Sequence, residues 1–459
     1  MSDTSRASAG RKRRADNITS DDATPKPKPN PQPKLLFPKL PARPKSRSNS
    51  PIKSRGVLKL LEKPIHVTSL ETSIKLLPNN IQSLYSSLYL ASCKEGVVPL
   101  EVRGQVLSLV GELRARPYCF HKEPTPGAAE IHTTLCEIRL EADAAASDQY
   151  HETGWNHCVH TPLLKSVFAS RRQNQTTQAE ARMVSVMSAT IVGDYIPFKL
   201  VNKPVNPLAH LHVTSATLHE TDVNSTDVNS TDVDSTGGDC TDVESLACSV
   251  SVDAYSGTGI QSEQLVVHSR SDSKKVDYVL VLDAASNTPL MRVLSFYLHN
   301  DGVERRLLPH VNQTMYQALQ WSPIACSVET KLDISGGDPM LQLGIWVAAW
   351  HKRMHLLRNY LLAEEPSLWH EDLLNDRMPS TLLIEVVNHT WQLYFACDRG
   401  DSISLHGPLS IGSTASLIDS YALWTSLVAI KQWIQSTFYQ GMEKWLLCSR
   451  IKELMKGEV

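Results

Sequence analysis

The chain has 459 residues, 41% of them hydrophobic, so it is long enough to bury a sizeable core and to form two or three domains. Its nine cysteines are scattered without a Cys-x-x-Cys pair, which argues against a disulfide framework and against a zinc module. Residues 1–56 carry 14 Lys or Arg against 4 Asp or Glu, whereas the rest of the chain carries 32 against 44. The acidic body argues against a folded surface that binds nucleic acid strongly, because such surfaces are usually basic.

The N-terminal segment, residues 1–56, is predicted to be a disordered basic tail, because it is rich in Pro, Ser and Lys and poor in large apolar residues. The run RKRR at residues 11–14 is typical of a nuclear-localisation or phosphate-contacting patch, and a solubilising tail is the alternative. The scattered cysteines fit a reducing compartment. No run approaches the roughly 18 apolar residues that a membrane-spanning helix needs. We therefore expect an intracellular, nuclear protein with no membrane partner and with protein partners that the sequence does not identify.

Residues 57–145 have apolar residues three and four positions apart, which predicts a helical N-terminal region. The next segment, HETGWNHCVHTPLLKSVF, continues the helical spacing and has a polar stripe of Glu152, Asn156 and His160. Pro162 lies inside this pattern, so we expect a kink or a new helical turn there.

A low-complexity insertion is predicted at about residues 205–272, where TDVNS repeats imperfectly. The repeat alternates Asp and Asn, but the twelve-residue spacing of an EF-hand calcium loop is missing. We therefore expect a disordered surface insertion rather than a calcium site.

Strands and helices alternate over the remainder of the chain. The predicted strands are ARMVSVMSATI, KKVDYVLVLD, PIACSVETK, TLLIEVV, WQLYFACD and SISLHGPL. A helix that is apolar nearly all round is predicted at DPMLQLGIWVAAW, and a closing helix is predicted from Ser413, as its N-cap, to about Phe438. The pattern predicts an α/β domain over residues 146–440, with a helical extension at 441–459.

Three charged residues on two of these strands suggest chemistry. Glu329 and Lys331 are two positions apart, so the pleat of a strand places both side chains on one face. Asp277 lies on the preceding strand, and two carboxylates on neighbouring strands suit Mg²⁺ or Mn²⁺, which prefer oxygen ligands. A lysine beside such an ion can orient or deprotonate a water and neutralise charge that develops on phosphorus. The set therefore predicts a metal-dependent phosphodiester hydrolase.

The order of these features resembles the PD-(D/E)xK nuclease superfamily, and more closely a largely uncharacterised group of PD-(D/E)xK nuclease-like domain proteins. The resemblance spans about residues 57–438 and is carried by the blocks ETGWNHCVHTPLL, KKVDYVLVL, NQTMYQAL, PIACSVETK, LQLGIWVAAW and IGSTASLIDSY. It implies a restriction-endonuclease-like mixed sheet flanked by helices, a DNA or RNA substrate and a divalent metal ion.

The resemblance also implies a role for five residues. Asp277 and Glu329 match the metal-binding carboxylates, and Lys331 matches the catalytic lysine. Glu152 matches the acidic residue of the first core helix, and Gln342 matches a glutamine that some branches use near the site. Val276 stands where the superfamily motif has proline.

Each of these residues also has an ordinary structural interpretation. Glu329 and Lys331 have opposite charges and suit an ordinary ion pair at the edge of the sheet. Asp277 suits a turn at the start of its strand. Glu152 suits a helix cap, and Gln342 suits packing. The alternative function is a catalytically inactive nuclease-fold protein that serves as a binding or scaffold module, and a hydrolase of small phosphorylated molecules is a third hypothesis.

Overall fold

A seven-stranded mixed sheet forms the centre of the computed structural model. The model describes residues 55–169, 179–197, 199–200, 265–266, 275–299, 310–333, 337–364 and 376–454. The predicted basic tail lies outside these residues, except for its last two positions, and so does nearly all of the predicted insertion. The strands of the sheet are β1 (Ile65–Thr68), β2 (Ala179–Ser185), β5 (Tyr278–Ala284), β6 (Ile324–Lys331), β7 (Thr381–Val387), β8 (Thr390–Asp398) and β9 (Ile403–Ser413). A separate pair consists of β3 (Lys199–Leu200) and β4 (Leu265–Val266).

The strand order in the large sheet is β1-β9-β8-β7-β6-β5-β2. The two parallel pairs are β1 with β9 and β6 with β7, and the other neighbours are antiparallel. The fold class predicted from the sequence, a mixed α/β sheet flanked by helices, is confirmed.

The three strands β5, β6 and β7 form the buried middle of the sheet. Nearly every residue in them is buried, and the exceptions all lie at their carboxyl ends. Because successive side chains of a strand point to opposite faces, burial at every position means that both faces are covered. This explains why these strands are continuous apolar runs in the sequence.

Ten helices cover the sheet in the described part of the chain. Their bounds are α1 (Leu70–Ser73), α2 (Asn79–Ser92), α3 (Arg103–Val110), α4 (Ala128–Ser147), α5 (Glu152–Trp155), α6 (Thr161–Phe168), α7 (Pro289–His299), α8 (Pro339–Glu364), α9 (Leu417–Trp433) and α10 (Tyr439–Leu454). Short π-helical turns join α5 to α6 and α9 to α10. Helix α8 packs on β6 and β7, and α9 packs on β9 and α2. None of the described helices is long and apolar enough to cross a membrane.

The start of α9 corrects one prediction. Ser413 is the last residue of β9, and the N-cap is Ser416, whose hydroxyl accepts a hydrogen bond from the backbone N–H of Asp419 at 3.2 Å. The strand extends to Ser413 because Ser413 still pairs with Thr390 of β8, and α9 passes very close to the strand at Gly412. A Cβ atom at Gly412 would lie 2.5 Å from the backbone nitrogen of Leu423, and its φ of +134° also favours glycine.

The N-terminal region contributes one strand that the helical pattern does not predict. The four-residue strand β1 lies beside β9 at the edge of the sheet, and of its residues only Ile65 is buried. A strand this short carries too few residues to show an alternating pattern against the helical spacing around it.

Candidate functional site

Asp277, the residue just before β5, lies opposite Glu329 of the neighbouring strand β6. Tyr278 of β5 pairs with Val328 of β6 in an antiparallel ladder, and Asp277 and Glu329 are the next residues toward the same end of the sheet. The backbone N–H of Asp277 donates to the carbonyl of Val328 at 3.0 Å, which continues the pairing. The charge of Asp277 contributes to the raised pKa of Glu329, so the two carboxylates lie close enough to interact. The structure therefore brings these two residues together, although 52 positions separate them in the chain.

The carboxylate of Asp277 is held in a fixed orientation by Thr330. Its Oδ2 accepts the backbone N–H of Thr330 at 2.8 Å and the hydroxyl of Thr330 at 2.7 Å. Only 9% of Asp277 is exposed, so these hydrogen bonds are shielded from water. Two bonds on one oxygen fix the direction of the other oxygen, Oδ1.

Glu329 is a buried carboxylate with an incomplete set of partners. It is 1% exposed, and its Oε1 lies 2.6 Å from the Nζ of Lys331. Its Oε2 is buried and has no hydrogen-bond partner in the described part of the chain. Burial, followed by the charge of Asp277, raises the pKa of Glu329 to about 8 despite the opposing effect of Lys331. The positive charge of Lys331 therefore does not fully compensate for the burial of Glu329 and the nearby charge of Asp277.

Lys331 lies among three carboxylates. Its Nζ is 2.6 Å from Glu329 and 3.3 Å from the Oε1 of Glu152, and it donates to the carbonyl of Thr330 at 3.0 Å. Burial lowers the pKa of Lys331, but the charges of Glu329, Glu152 and Asp277 outweigh that effect and the pKa is raised. Lys331 is therefore an ammonium at neutral pH.

Glu152 reaches the site from the start of helix α5. It is the first residue of the helix, and its side chain remains 39% exposed while that of Lys331 is 11% exposed. Of the ion pairs of Lys331, the one with Glu152 is therefore the more open to solvent. The exposed carboxylate marks the side from which a ligand can approach the buried pair.

The helix that carries Glu152 widens into a π turn at Asn156–His160. Pro162 follows this turn and has no N–H to donate to it, which is the physical basis of the predicted irregularity. The turn places Asn156 against β6, where its Oδ1 lies 2.9 Å from the hydroxyl of Thr330. The single proton of that hydroxyl is thus shared between Asp277 and Asn156.

His160 completes this buried chain of hydrogen bonds. Its Nδ1 lies 2.9 Å from the Oδ1 of Asn156, and burial lowers the pKa of His160 to about 4. A neutral His160 whose Nδ1 carries the proton donates to Asn156, so this side chain supports the network and is not a charged group.

The sequence matches the family model of the PD-(D/E)XK nuclease superfamily over residues 110–439, which is well over half of the chain. The chain belongs to the PD-(D/E)XK nuclease superfamily. Comparison with curated proteins and with solved structures finds no match. Nucleases of this superfamily generally use divalent metal ions, and the opposed carboxylates and unpartnered Oε2 of Glu329 fit such an ion.

Gln342, the other residue that matches the superfamily pattern, lies beside the site without bonding to its carboxylates in any described contact. Its side-chain amide donates to the carbonyl of Lys275 at 3.0 Å, two residues before Asp277. Trp346, one turn later in α8, is fully buried in the core. Gln342 therefore supports the strand that carries Asp277, and its role in the reaction stays a prediction.

Sequence reasoning did not predict the part of Thr330 in this superfamily site. Thr330 is the middle residue of the Glu-Thr-Lys motif, so its side chain points away from the face of Glu329 and Lys331. The available signal was a hydroxyl in an otherwise apolar strand next to a motif carboxylate. A buried hydroxyl needs a partner, and here the partners are Asp277 and Asn156.

Proposed function

We propose that this chain is a metal-dependent phosphodiester hydrolase that acts on DNA or RNA. The observation that carries the proposal is the unpartnered Oε2 of Glu329, buried opposite Asp277. An unpaired buried carboxylate oxygen is costly, and a bound cation removes that cost. The position of Glu329 in the Glu-x-Lys motif of a nuclease superfamily supports the same conclusion.

Asp277 and Glu329 hold Mg²⁺ or Mn²⁺ in this proposal. Both residues supply hard oxygen ligands, and Thr330 fixes the orientation of Asp277. A divalent cation there supplies Lewis-acid stabilisation of the phosphate and increases the acidity of a water molecule.

Lys331 stabilises negative charge on the phosphodiester as water attacks the phosphorus. Its raised pKa favours this electrostatic role over proton abstraction, because a group that stays protonated cannot act as a base. Glu152 holds the ammonium between helix α5 and strand β6. Because Glu152 is partly exposed, it can exchange its contact with Lys331 for solvent when a substrate binds.

The test is a cleavage assay on single-stranded and double-stranded DNA and RNA with Mg²⁺ or Mn²⁺. We expect cleavage by the wild type and a loss of about 10²–10³-fold in Lys331→Ala, the size of effect found when a charge-stabilising donor is removed. The matched control is Lys75→Ala, because Lys75 is an exposed lysine near the β1 edge, away from β5. Circular dichroism of each variant reports whether the fold is intact.

The assay also separates the proposed enzyme from an inactive nuclease-fold module. Cleavage that Lys331→Ala and Lys75→Ala reduce equally contradicts the assignment of Lys331. If no substrate is cleaved although the protein binds Mn²⁺ at Asp277, the chain is a binding module that retains the metal site, and the proposed hydrolase is wrong.

A further inference from the structure

A second cluster of metal-ligating side chains lies at the opposite end of the sheet from Glu329. Lys331, the last residue of β6, pairs with Val387, the last residue of β7. Asp398, the last residue of β8, lies beyond Thr381, the first residue of β7, and therefore at the other end of the sheet. His351 and His355 are one turn apart on α8 and face Asp398. One ligand atom from each of these three residues lies within 4.8 Å of the others.

His351 is the buried member of this cluster and has no evident structural partner. It is 1% exposed, and neither ring nitrogen has a hydrogen-bond partner within the part of the chain that the structure describes. Buried polar groups are normally hydrogen-bonded, so two unpartnered nitrogens in one side chain require an explanation. A neutral imidazole with a free nitrogen lone pair is a common metal ligand.

Asp398 is held rigidly for such a role. Its Oδ2 accepts the backbone N–H of Met378 at 3.1 Å, and its Oδ1 accepts the backbone N–H of Gly400 at 2.9 Å. The Nε2 of His355 lies 3.5 Å from Oδ2. Ligating carboxylates are typically oriented by such additional hydrogen bonds.

The ammonium of Lys63 already occupies a cation position in this cluster. Its Nζ donates to the Oδ1 of Asp398 at 2.7 Å and lies 3.2 Å from the Nε2 of His355. The cluster therefore attracts positive charge. The side chain of Lys63 is 17% exposed and has a flexible stem, so it can turn away when another cation binds.

We propose that His351, His355 and Asp398 form a binding site for a divalent transition-metal ion, with zinc as the best match. Two imidazoles and one carboxylate suit zinc, whereas Mg²⁺ prefers oxygen ligands alone. The site is separate from the carboxylates of Asp277 and Glu329, and Lys63 competes with the ion for Asp398.

A route for the ion is present beside the cluster. A cavity of about 530 Å³ is lined by Asp398 and Trp445, among other residues. The ring of Trp445 meets the ring of His355 edge-on at 5.4 Å, and the side chain of His355 is 35% exposed. His355 is thus the ligand that can rotate to admit an ion and to close the coordination.

Bound zinc would join α8 to the end of β8. His351 and His355 lie on α8, and Asp398 is the last residue of β8. An ion that binds only the folded chain raises the apparent stability by mass action. The expected role is structural, because all three ligands come from regular elements of the core.

The test uses the full chain, freed of metal by a chelator and then titrated with Zn²⁺ alone by calorimetry. We expect one saturable site whose occupancy also raises the midpoint of thermal unfolding. His355→Ala removes a partly exposed ligand and should weaken zinc binding by more than about 100-fold. The matched control is His66→Ala, an exposed histidine of β1, which should bind zinc as the wild type does.

Two further variants keep the outcome interpretable. Glu329→Gln should leave zinc binding unchanged, which distinguishes this site from the proposed catalytic centre. Lys63→Met removes the competing ammonium and should tighten binding by about tenfold. Co²⁺ in place of zinc gives a visible absorption spectrum that reports nitrogen coordination directly. The proposal is overturned if the wild type binds no zinc, or if His355→Ala and His66→Ala bind it equally.

Discussion

Two lysine–carboxylate pairs at opposite ends of the sheet differ in the direction of the net pKa shift of the carboxylate. The Nζ of Lys331 lies 2.6 Å from Glu329, and the Nζ of Lys63 lies 2.7 Å from Asp398. Yet the pKa of Glu329 is raised to about 8, whereas that of Asp398 lies well below its ordinary value. A lysine at contact distance therefore does not by itself set the charge state of its partner.

The surroundings of each pair explain the difference. Burial alone would raise both pKa values, and for Asp398 the hydrogen bond from His355, the neighbouring imidazole of His351 and the charge of Lys63 outweigh it. At the other end Lys331 is shared between Glu329 and two further carboxylates, Glu152 and Asp277. The end of the sheet at Asp398 therefore has balanced charge, and we call it the balanced end. The end at Glu329, the unbalanced end, retains an excess of negative charge that suits a divalent cation.

The largest effect on stability is expected from removing the lysine of the balanced pair. Lys63→Met leaves the buried Asp398 without its ammonium and should lower the free energy of unfolding by about 3 kcal/mol. Lys331→Met should cost about 1 kcal/mol or less, because Glu329 readily takes a proton near neutral pH. Urea unfolding at pH 7 with a chelator present measures both values. Equal losses in the two variants would contradict the comparison.

The pH dependence of stability should identify Glu329 as the unsatisfied group. Its pKa is about 8 in the folded protein and near 4.5 when unfolded, so the folded state binds more protons between these values and stability falls as pH rises. The buried histidines, such as His160 and His351, have lowered pKa values, so they change the free energy of unfolding only below about pH 6.5.

Between pH 6.5 and 8 the wild type should therefore lose about 1–2 kcal/mol of unfolding free energy that Glu329→Gln does not lose. Other groups, including Glu385, contribute equally to both proteins, so the difference between the two curves isolates Glu329. Parallel curves for the two proteins would show that Glu329 is ionised throughout this range.

A smaller effect is expected from the hydroxyl that orients Asp277. Thr330→Val keeps the shape of the side chain but removes the proton that Asp277 and Asn156 share. We expect Mn²⁺ affinity to fall by about tenfold, the effect of removing a group that orients a ligand. Thr330→Ser restores the hydroxyl and should bind Mn²⁺ nearly as the wild type does. If the valine and serine variants bind equally, Thr330 does not position Asp277.

Much of the unbalanced end of the sheet could be predicted from the sequence. Continuous apolar runs identify β5 and β6, and Glu329 and Lys331 stand out because they interrupt the apolar character of β6 where it ends. Antiparallel pairing of the two strands then brings Asp277 opposite Glu329. The apolar runs and the Glu-x-Lys motif are local features, whereas the pairing across 52 positions was expected only from the resemblance to the superfamily.

The balanced end could not be predicted because it depends on long-range contacts. His351 and His355 have the four-residue spacing that places two ligands on one face of a helix. The long apolar run around them, however, predicts a buried core helix and no metal site. Asp398 and Lys63 join them only through the closure of β8 and β1 around α8. The helix start at Ser416 was missed for a similar reason, because the close approach at Gly412 is a tertiary contact.

The most direct test of the account is a calorimetric titration of the full chain with Mn²⁺ at pH 7.5. The account predicts one site per chain that Asp277→Asn and Glu329→Gln abolish. Asp283→Asn is the matched control, because Asp283 lies near the other end of β5 and pairs with Arg182 at 3.1 Å. Binding that survives both site variants, or the absence of any binding by the wild type, would contradict the claim that Glu329 and Asp277 hold a metal ion.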